Sequence, residues 1–138
     1  MNRKLPARRS DCPIACALDL IGDKWTLIVL RDLITARKRY FQELLEGNEG
    51  IATNILASRL RLLEAAGMVT RRADPAQARR VIYAPTEMAL DLLPVLIELV
   101  RWSMKYNSPS AAPVRLARRL AEDRSGLIAE LRAAHGKR

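Results

Sequence analysis

The sequence predicts a mainly α-helical fold carrying one small β-hairpin. Apolar residues recur at three- and four-residue steps through most of the chain, which is the helical period. Two short runs with β-branched residues, Met68 to Arg72 and Arg80 to Ala84, flank a turn-forming Asp74-Pro75. The length of 138 residues, 49% of them hydrophobic, suits one core and leaves no room for two unrelated domains.

Each element has its own signal. Cys12 to Ile21 reads as a helix through Ile14, Ala15, Leu18 and Ile21, with Pro13 suited to its first turn and Gly22 at its end. Lys24 to Ile34 is a second apolar helix, and Tyr40 to Leu45 a short third one behind a basic linker. Gly47 and Gly50 punctuate, and a fourth helix runs from about Ala52 to Ala66 with Gly67 as its C-terminal cap. The two strands follow. Thr86 can cap the next segment, Glu87 to about Tyr106, whose apolar residues go nearly all round a helix. Pro94 is expected to kink that helix and not end it, because the apolar pattern continues. A domain this small seldom surrounds a helix completely, so a homodimer is expected to cover its second face. Asn107-Ser108-Pro109 breaks the chain, and Val114 to about Ala134 is expected as a basic helix interrupted near Ser125-Gly126. The chain thus divides into a basic N-terminal arm (1–11), a main domain (12–106) and a basic, partly helical extension (107–138).

Composition excludes several chemistries. Cys12, Cys16 and the single His135 cannot make a four-ligand zinc site, so no metal or other cofactor is expected. His135 lies in an Ala/Gly/Lys/Arg-rich terminus, a poor place to hold a catalytic base. The six glycines form no phosphate-binding loop, and no enzymatic constellation emerges. No apolar run approaches a membrane span and no signal core follows Met1, so a cytoplasmic protein without membrane contact is expected.

The formal charge is +9, concentrated at residues 1–9 (+4) and 115–138 (+4). Within the balanced middle, Arg37-Lys38-Arg39 form one basic cluster, and Arg71-Arg72 with Arg79-Arg80 another on the shoulders of the hairpin. A solvated basic surface and a polyanion partner both account for such clusters. On a helical wheel the fourth helix buries Leu56, Leu60 and Leu63, with Ala52 and Ala66 beside them. Its opposite face presents Asn54, Ala57, Ser58, Arg61 and Ala65, with Thr53 at the start and Arg59 on the flank. A small, polar, basic face suits entry into the major groove of double-stranded DNA, where Asn pairs with adenine and Arg with guanine. An ordinary surface helix has the same pattern. The order of three helices, this helix and then an Arg-shouldered hairpin is that of a winged helix-turn-helix.

The resemblance then becomes specific. Cys12-Pro13-Ile14-Ala15 with Ala17-Leu18, and Ile21-Gly22-Asp23-Lys24-Trp25-Thr26-Leu27, resemble the start of the HxlR-type family of bacterial transcriptional regulators. Further matches are Tyr40 to Leu44, Gly50 to Leu60, Leu63 to Val69, and Tyr83-Ala84-Pro85-Thr86, in order over roughly residues 12–106. The resemblance implies a homodimer, paired through the first helix and the long helix near the domain's end. It would bind a pseudo-palindromic operator with one recognition helix and one wing per subunit. Thr53, Asn54, Ser58 and Arg59 carry over as recognition-helix residues, and Arg71, Arg72, Arg79 and Arg80 as the wing. Arg61 is added from the wheel. Ala52 stands where the family often has Ser, which leaves Thr53 to serve as the helix cap. Ala89 stands where a Gly is common.

Cys12 lies at the expected N-cap of the first helix with Arg8 and Arg9 nearby in sequence, features that favour a thiolate. It is a candidate sensor of oxidants or electrophiles, as the resemblance implies for some family members. A retained capping or packing residue is the alternative. Cys16 is expected to be a buried core thiol, and Trp25, Phe41 and Trp102 core aromatics. A small-molecule effector at the dimer interface stays open. The rivals to a sequence-specific regulator are an architectural or general nucleic-acid binding protein, and a winged helix used only for protein contact.

Overall fold

The computed structural model describes residues 4–107 and 114–136. The chain folds into two units, Met1–Ala89 and Leu90–Arg138. Helices α1 (Pro13–Ile21), α2 (Thr26–Ile34), α3 (Phe41–Leu45) and α4 (Thr53–Ala65) precede strands β1 (Val69–Ala73) and β2 (Val81–Pro85). Then come α5 (Glu87–Leu90), α6 (Leu93–Tyr106), α7 (Val114–Glu122) and α8 (Arg124–Ala133).

The core of the first unit is aliphatic. Leu30, Leu33 and Ile34 of α2 meet Leu56 and Leu63 of α4 in a layer closed to solvent, and Met68, just before β1, and Ile82, within β2, are buried too. Burying each such side chain stabilises the fold by roughly 1.5–3 kcal/mol. Ala52, expected beside this face, is exposed at the start of α4.

Local chemistry sets the element ends. The Asp23 carboxylate accepts the amides of Trp25 (2.9 Å) and Thr26 (3.0 Å), opening α2. Helix α4 closes at Gly67, whose φ of 79° is the left-handed conformation a glycine tolerates without penalty. There the Gly67 amide donates to the Glu64 carbonyl and the Met68 amide to that of Leu63. The strands pair antiparallel with Arg71 opposite Tyr83 and Arg72 opposite Ile82. Beyond the ladder, the Tyr83 amide donates to the Arg39 carbonyl (2.8 Å), tying β2 to the linker between α2 and α3. The Thr86 hydroxyl donates to the Gly67 carbonyl (2.7 Å), joining the foot of the hairpin to the end of α4.

In the second unit, Ile97, Leu120 and Leu127 form a small core with Val100, Met104, Ile128 and Leu131 packed on it. Ion pairs Arg124–Glu98, Arg119–Glu130 and Arg132–Asp91, each 2.8 Å, brace its helices.

The structure corrects several expectations. The segment from Glu87 to Tyr106 is two helices and not one kinked one. Pro94 lies in the first turn of α6, where its missing N–H costs nothing, whereas a helix running on from α5 would need that N–H for the Leu90 carbonyl and would set the ring against it. The C-terminal break falls at Asp123, two residues before the expected site. The Asp123 carboxylate caps α8 by accepting the Gly126 amide (3.0 Å), and a Cβ at Gly126 would collide with that carboxylate. Trp102 is not core: it is 61% exposed, on one stripe of α6 with Val95, Leu99 and Tyr106. Trp25 and Phe41 are half-buried. Cys16 is half-buried too, because α1 buries none of its residues fully, and its thiol donates to the Ser10 carbonyl (3.1 Å).

Candidate nucleic-acid interface

Leu56, Leu60 and Leu63 anchor α4 by its inner side, so its outer side is set by helical geometry alone. Thr53, Asn54, Arg61 and Ala65 are exposed there, and Ala57 and Ser58 are half-buried. Thr53 is not the cap. Ala52 occupies that position, with extended backbone and its carbonyl accepting the Leu56 amide, and it has no side chain to close the helix start. The Thr53 hydroxyl therefore has no capping duty. Asn54 follows it in the same exposed first turn.

Arg59, on the flank, turns inward. Its guanidinium lies 3.3 Å from Asp23 Oδ2 and joins α4 to the start of α2. Burial works against the charge on Asp23. Hydrogen bonds from the Thr26 hydroxyl and the Trp25 and Thr26 amides, with Arg59 beside it, hold its carboxyl below the usual range.

The hairpin stands beside α4. Arg71 and Tyr83 are register partners and project to the same side. Together with Arg61, Glu64 and Phe41 they line a cleft of about 380 Å³ between α4 and the strands. Arg72 shares the other side with Ile82. Arg61, Arg71, Arg72 and Arg79 are all exposed, and none makes an ion pair among the described residues. Four cations without carboxylate partners are free to meet phosphates.

Arg80 differs from the other three arginines of the hairpin, Arg71, Arg72 and Arg79. Its guanidinium lies over the Tyr40 ring, 3.5 Å from the ring centre. The Tyr40 hydroxyl donates to Asp74 Oδ2 (2.7 Å), and Asp74 Oδ1 accepts the Ala76 amide (2.9 Å) in the hairpin turn. These bonds hold the Asp74 carboxyl below its usual range and push the Tyr40 hydroxyl above its own. Tyr40 and Asp74 thus fix the hairpin tip relative to α3, a role that no sequence signal singled out. The only cues were the turn-forming Asp74-Pro75 and a Tyr just ahead of a short helix. The Arg37-Lys38-Arg39 cluster is partly internal as well: Lys38 pairs with buried Asp32 (2.7 Å).

Cys12 occupies the N-cap of α1 and is exposed, and its amide donates to Ser10 Oγ (3.1 Å). The two cations near it in sequence are both engaged with carboxylates, Arg8 with Asp11 (3.0 Å) and Arg9 with Asp19. Among the described residues no group of three His, Cys, Asp or Glu could hold a metal ion. No described helix is long and apolar enough to cross a membrane.

Comparison with known proteins agrees with this geometry. The pattern of the HxlR-like helix-turn-helix family matches residues 20–111. The uncharacterized HTH-type transcriptional regulator YdeP of Bacillus subtilis is 36% identical over 110 residues, covering 76% of this chain and 85% of YdeP. The uncharacterized HTH-type transcriptional regulator Rv3095 of Mycobacterium tuberculosis is 35% identical over 101 residues, covering 72% of this chain; the aligned region is 63% of that protein's length. Among solved structures, the redox regulator HypR in its reduced form superposes with a TM-score of 0.62 at 30% identity, over 70% of this chain and 94% of HypR. The reduced transcriptional regulator YodB from B. subtilis gives 0.58 at 29% identity, over 70% of this chain and 95% of YodB.

Proposed function

Because the chain belongs to the HxlR-like helix-turn-helix family and has a winged helix-turn-helix fold, we propose that it is a sequence-specific, DNA-binding transcriptional regulator. In this reading it acts as a homodimer on a pseudo-palindromic operator. The observation that carries the reading is the juxtaposition of an exposed Thr53-Asn54 turn with unpaired Arg61, Arg71, Arg72 and Arg79 on α4 and the adjoining hairpin. Asn54 and Arg61 would read base edges, Thr53 and Ser58 would contact base edges or phosphates, and the wing arginines would meet the backbone. Arg59 and Arg80 would act chiefly by positioning α4 and the wing.

Dimerisation is supported by apolar side chains that a solitary chain leaves in water. Ile14 and Leu18 protrude from α1, and Val95, Leu99, Trp102 and Tyr106 protrude from α6 at the alternating four- and three-residue spacing of a helix-pairing seam. The opposite side of α6 already packs on α7 and α8, so these two helices extend that helical unit.

A thiol response at Cys12 belongs to the same proposal. It is supported by the exposed Cys12 at a helix N-cap and by similarity to HypR, a redox regulator, and to YodB, a structure of which is quinone-bound. The test is fluorescence anisotropy at about 150 mM salt, with DNA from upstream of the protein's own gene against an unrelated duplex. The expected result is preference for the upstream DNA, weakened by a thiol oxidant in the wild type and not in Cys12→Ser. Equal affinity for both duplexes favours the architectural reading, and an oxidant effect that survives in Cys12→Ser removes Cys12.

A further inference from the structure

The N-terminal arm contains three described cations before Cys12, namely Lys4, Arg8 and Arg9, and they have different fates. Arg8 pairs with Asp11, and Arg9 with Asp19, so these two charges are neutralised where they stand. Lys4 is exposed and has no carboxylate partner among the described residues. Its backbone is nonetheless held: the Lys4 amide donates to the Ala65 carbonyl at 2.8 Å.

That carbonyl has a particular place. A helix leaves its last carbonyls without intrahelical donors. At the end of α4, the carbonyl of Leu62 accepts from Ala66, that of Leu63 from Met68 and that of Glu64 from Gly67. Lys4 supplies the donor for Ala65 from more than fifty residues away. Ala65 is exposed and lies one turn beyond Arg61 on the outward side of α4. The arm is therefore pinned at the C-terminal end of α4, one turn beyond Arg61.

Length decides what this position meets on DNA. Thirteen residues make α4 about 20 Å long, whereas the major groove is about 12 Å wide. With the Thr53-Asn54 turn at the base edges, the far end of the helix lies over the flanking phosphates. We infer that Lys4 contacts the DNA backbone, held beyond Arg61 by its own amide; this rests on the DNA-binding reading above. A purely internal role, in which the Lys4 charge offsets the negative end of the helix dipole, would affect stability and leave DNA binding unchanged.

The experiment measures affinity of the full chain for a labelled duplex from upstream of its own gene between about 50 and 300 mM KCl. The proteins are wild type, Lys4→Gln, Lys4→Arg and Arg61→Gln. Gln keeps the backbone amide and removes only the charge. Lys4→Gln is expected to lower affinity several-fold and reduce the slope of log K against log[salt] by about 0.9 per subunit. Lys4→Arg is expected to keep both, and a thermal melt of Lys4→Gln to match wild type. A slope in Lys4→Gln equal to wild type, while Arg61→Gln loses slope, overturns the inference alone. Equal losses in Lys4→Arg and Lys4→Gln overturn it too. A wild-type protein without salt-dependent DNA affinity overturns both the inference and the reading beneath it.

Discussion

Arg80 and Tyr40 form a stacked pair, the guanidinium carbon lying 3.5 Å from the ring centre. Forty residues apart in sequence, they bind the hairpin tip to the start of α3, and the Tyr40 hydroxyl extends the link to Asp74. A wing needs such a brace because a two-stranded hairpin is at best marginally stable by itself.

Tyr40→Phe keeps the ring under Arg80 and deletes the hydroxyl that Asp74 accepts. DNA affinity should fall several-fold with an unchanged salt slope, because orientation is lost and no phosphate contact is. Anisotropy titrations at several salt concentrations check this, and a reduced slope would instead give Tyr40 a direct backbone contact.

Arg71, Arg72 and Arg79 are the unpaired wing cations. Replacing any one with Gln should lower affinity for all duplexes alike and reduce the salt slope by about 0.9 per subunit. Asn54→Ala should behave oppositely, lowering preference for the operator by roughly 1–3 kcal/mol with the slope intact. Competition between specific and unrelated duplexes separates the two.

Acid should weaken the joint between α2 and α4. Asp23 has its carboxyl held below the usual range in the folded state. A depressed folded value means that this stability is fully present above the ordinary carboxylate pKa and is lost as pH falls through the folded value. Thermal melts between about pH 7 and pH 3 should show a steeper decline for wild type than for Asp23→Asn, which has no carboxyl to titrate. Parallel declines would remove Asp23 from the joint.

Leu56 is fully buried beneath the outward side of α4. Leu56→Ala should cost about 2–5 kcal/mol in urea denaturation, through lost transfer free energy and the cavity left behind. A cost below about 1 kcal/mol would mean that α4 is held by its polar links and not by its core.

Trp102 stands 61% exposed in the apolar stripe of α6, its ring 5.6 Å from that of Tyr106. Trp102→Glu should leave the fold intact and shift the protein from dimer to monomer in sedimentation equilibrium. A dimer that survives both Trp102→Glu and Leu99→Glu would place the subunit contact elsewhere.

The sequence by itself determined the first four helices and the hairpin after them, the Leu56, Leu60 and Leu63 face of α4 and the stop at Gly67. Periodicity, β-branching and backbone permissiveness are local properties, legible within a few residues. The family motifs were legible for the same reason, being short and ordered along the chain. Tertiary structure decided which cations are available. Arg59 and Arg80 were candidate DNA contacts alongside Arg61 and Arg71, yet Asp23 and Tyr40 engage the first two, while the second two make no ion pair among the described residues. Arg8 and Arg9 likewise meet Asp11 and Asp19, whereas Lys4 is carried to the end of α4 by a bond to Ala65. Local pattern sets which way a side chain points, but its partner depends on what the fold brings within about 4 Å, and the energy of a charge depends on that partner.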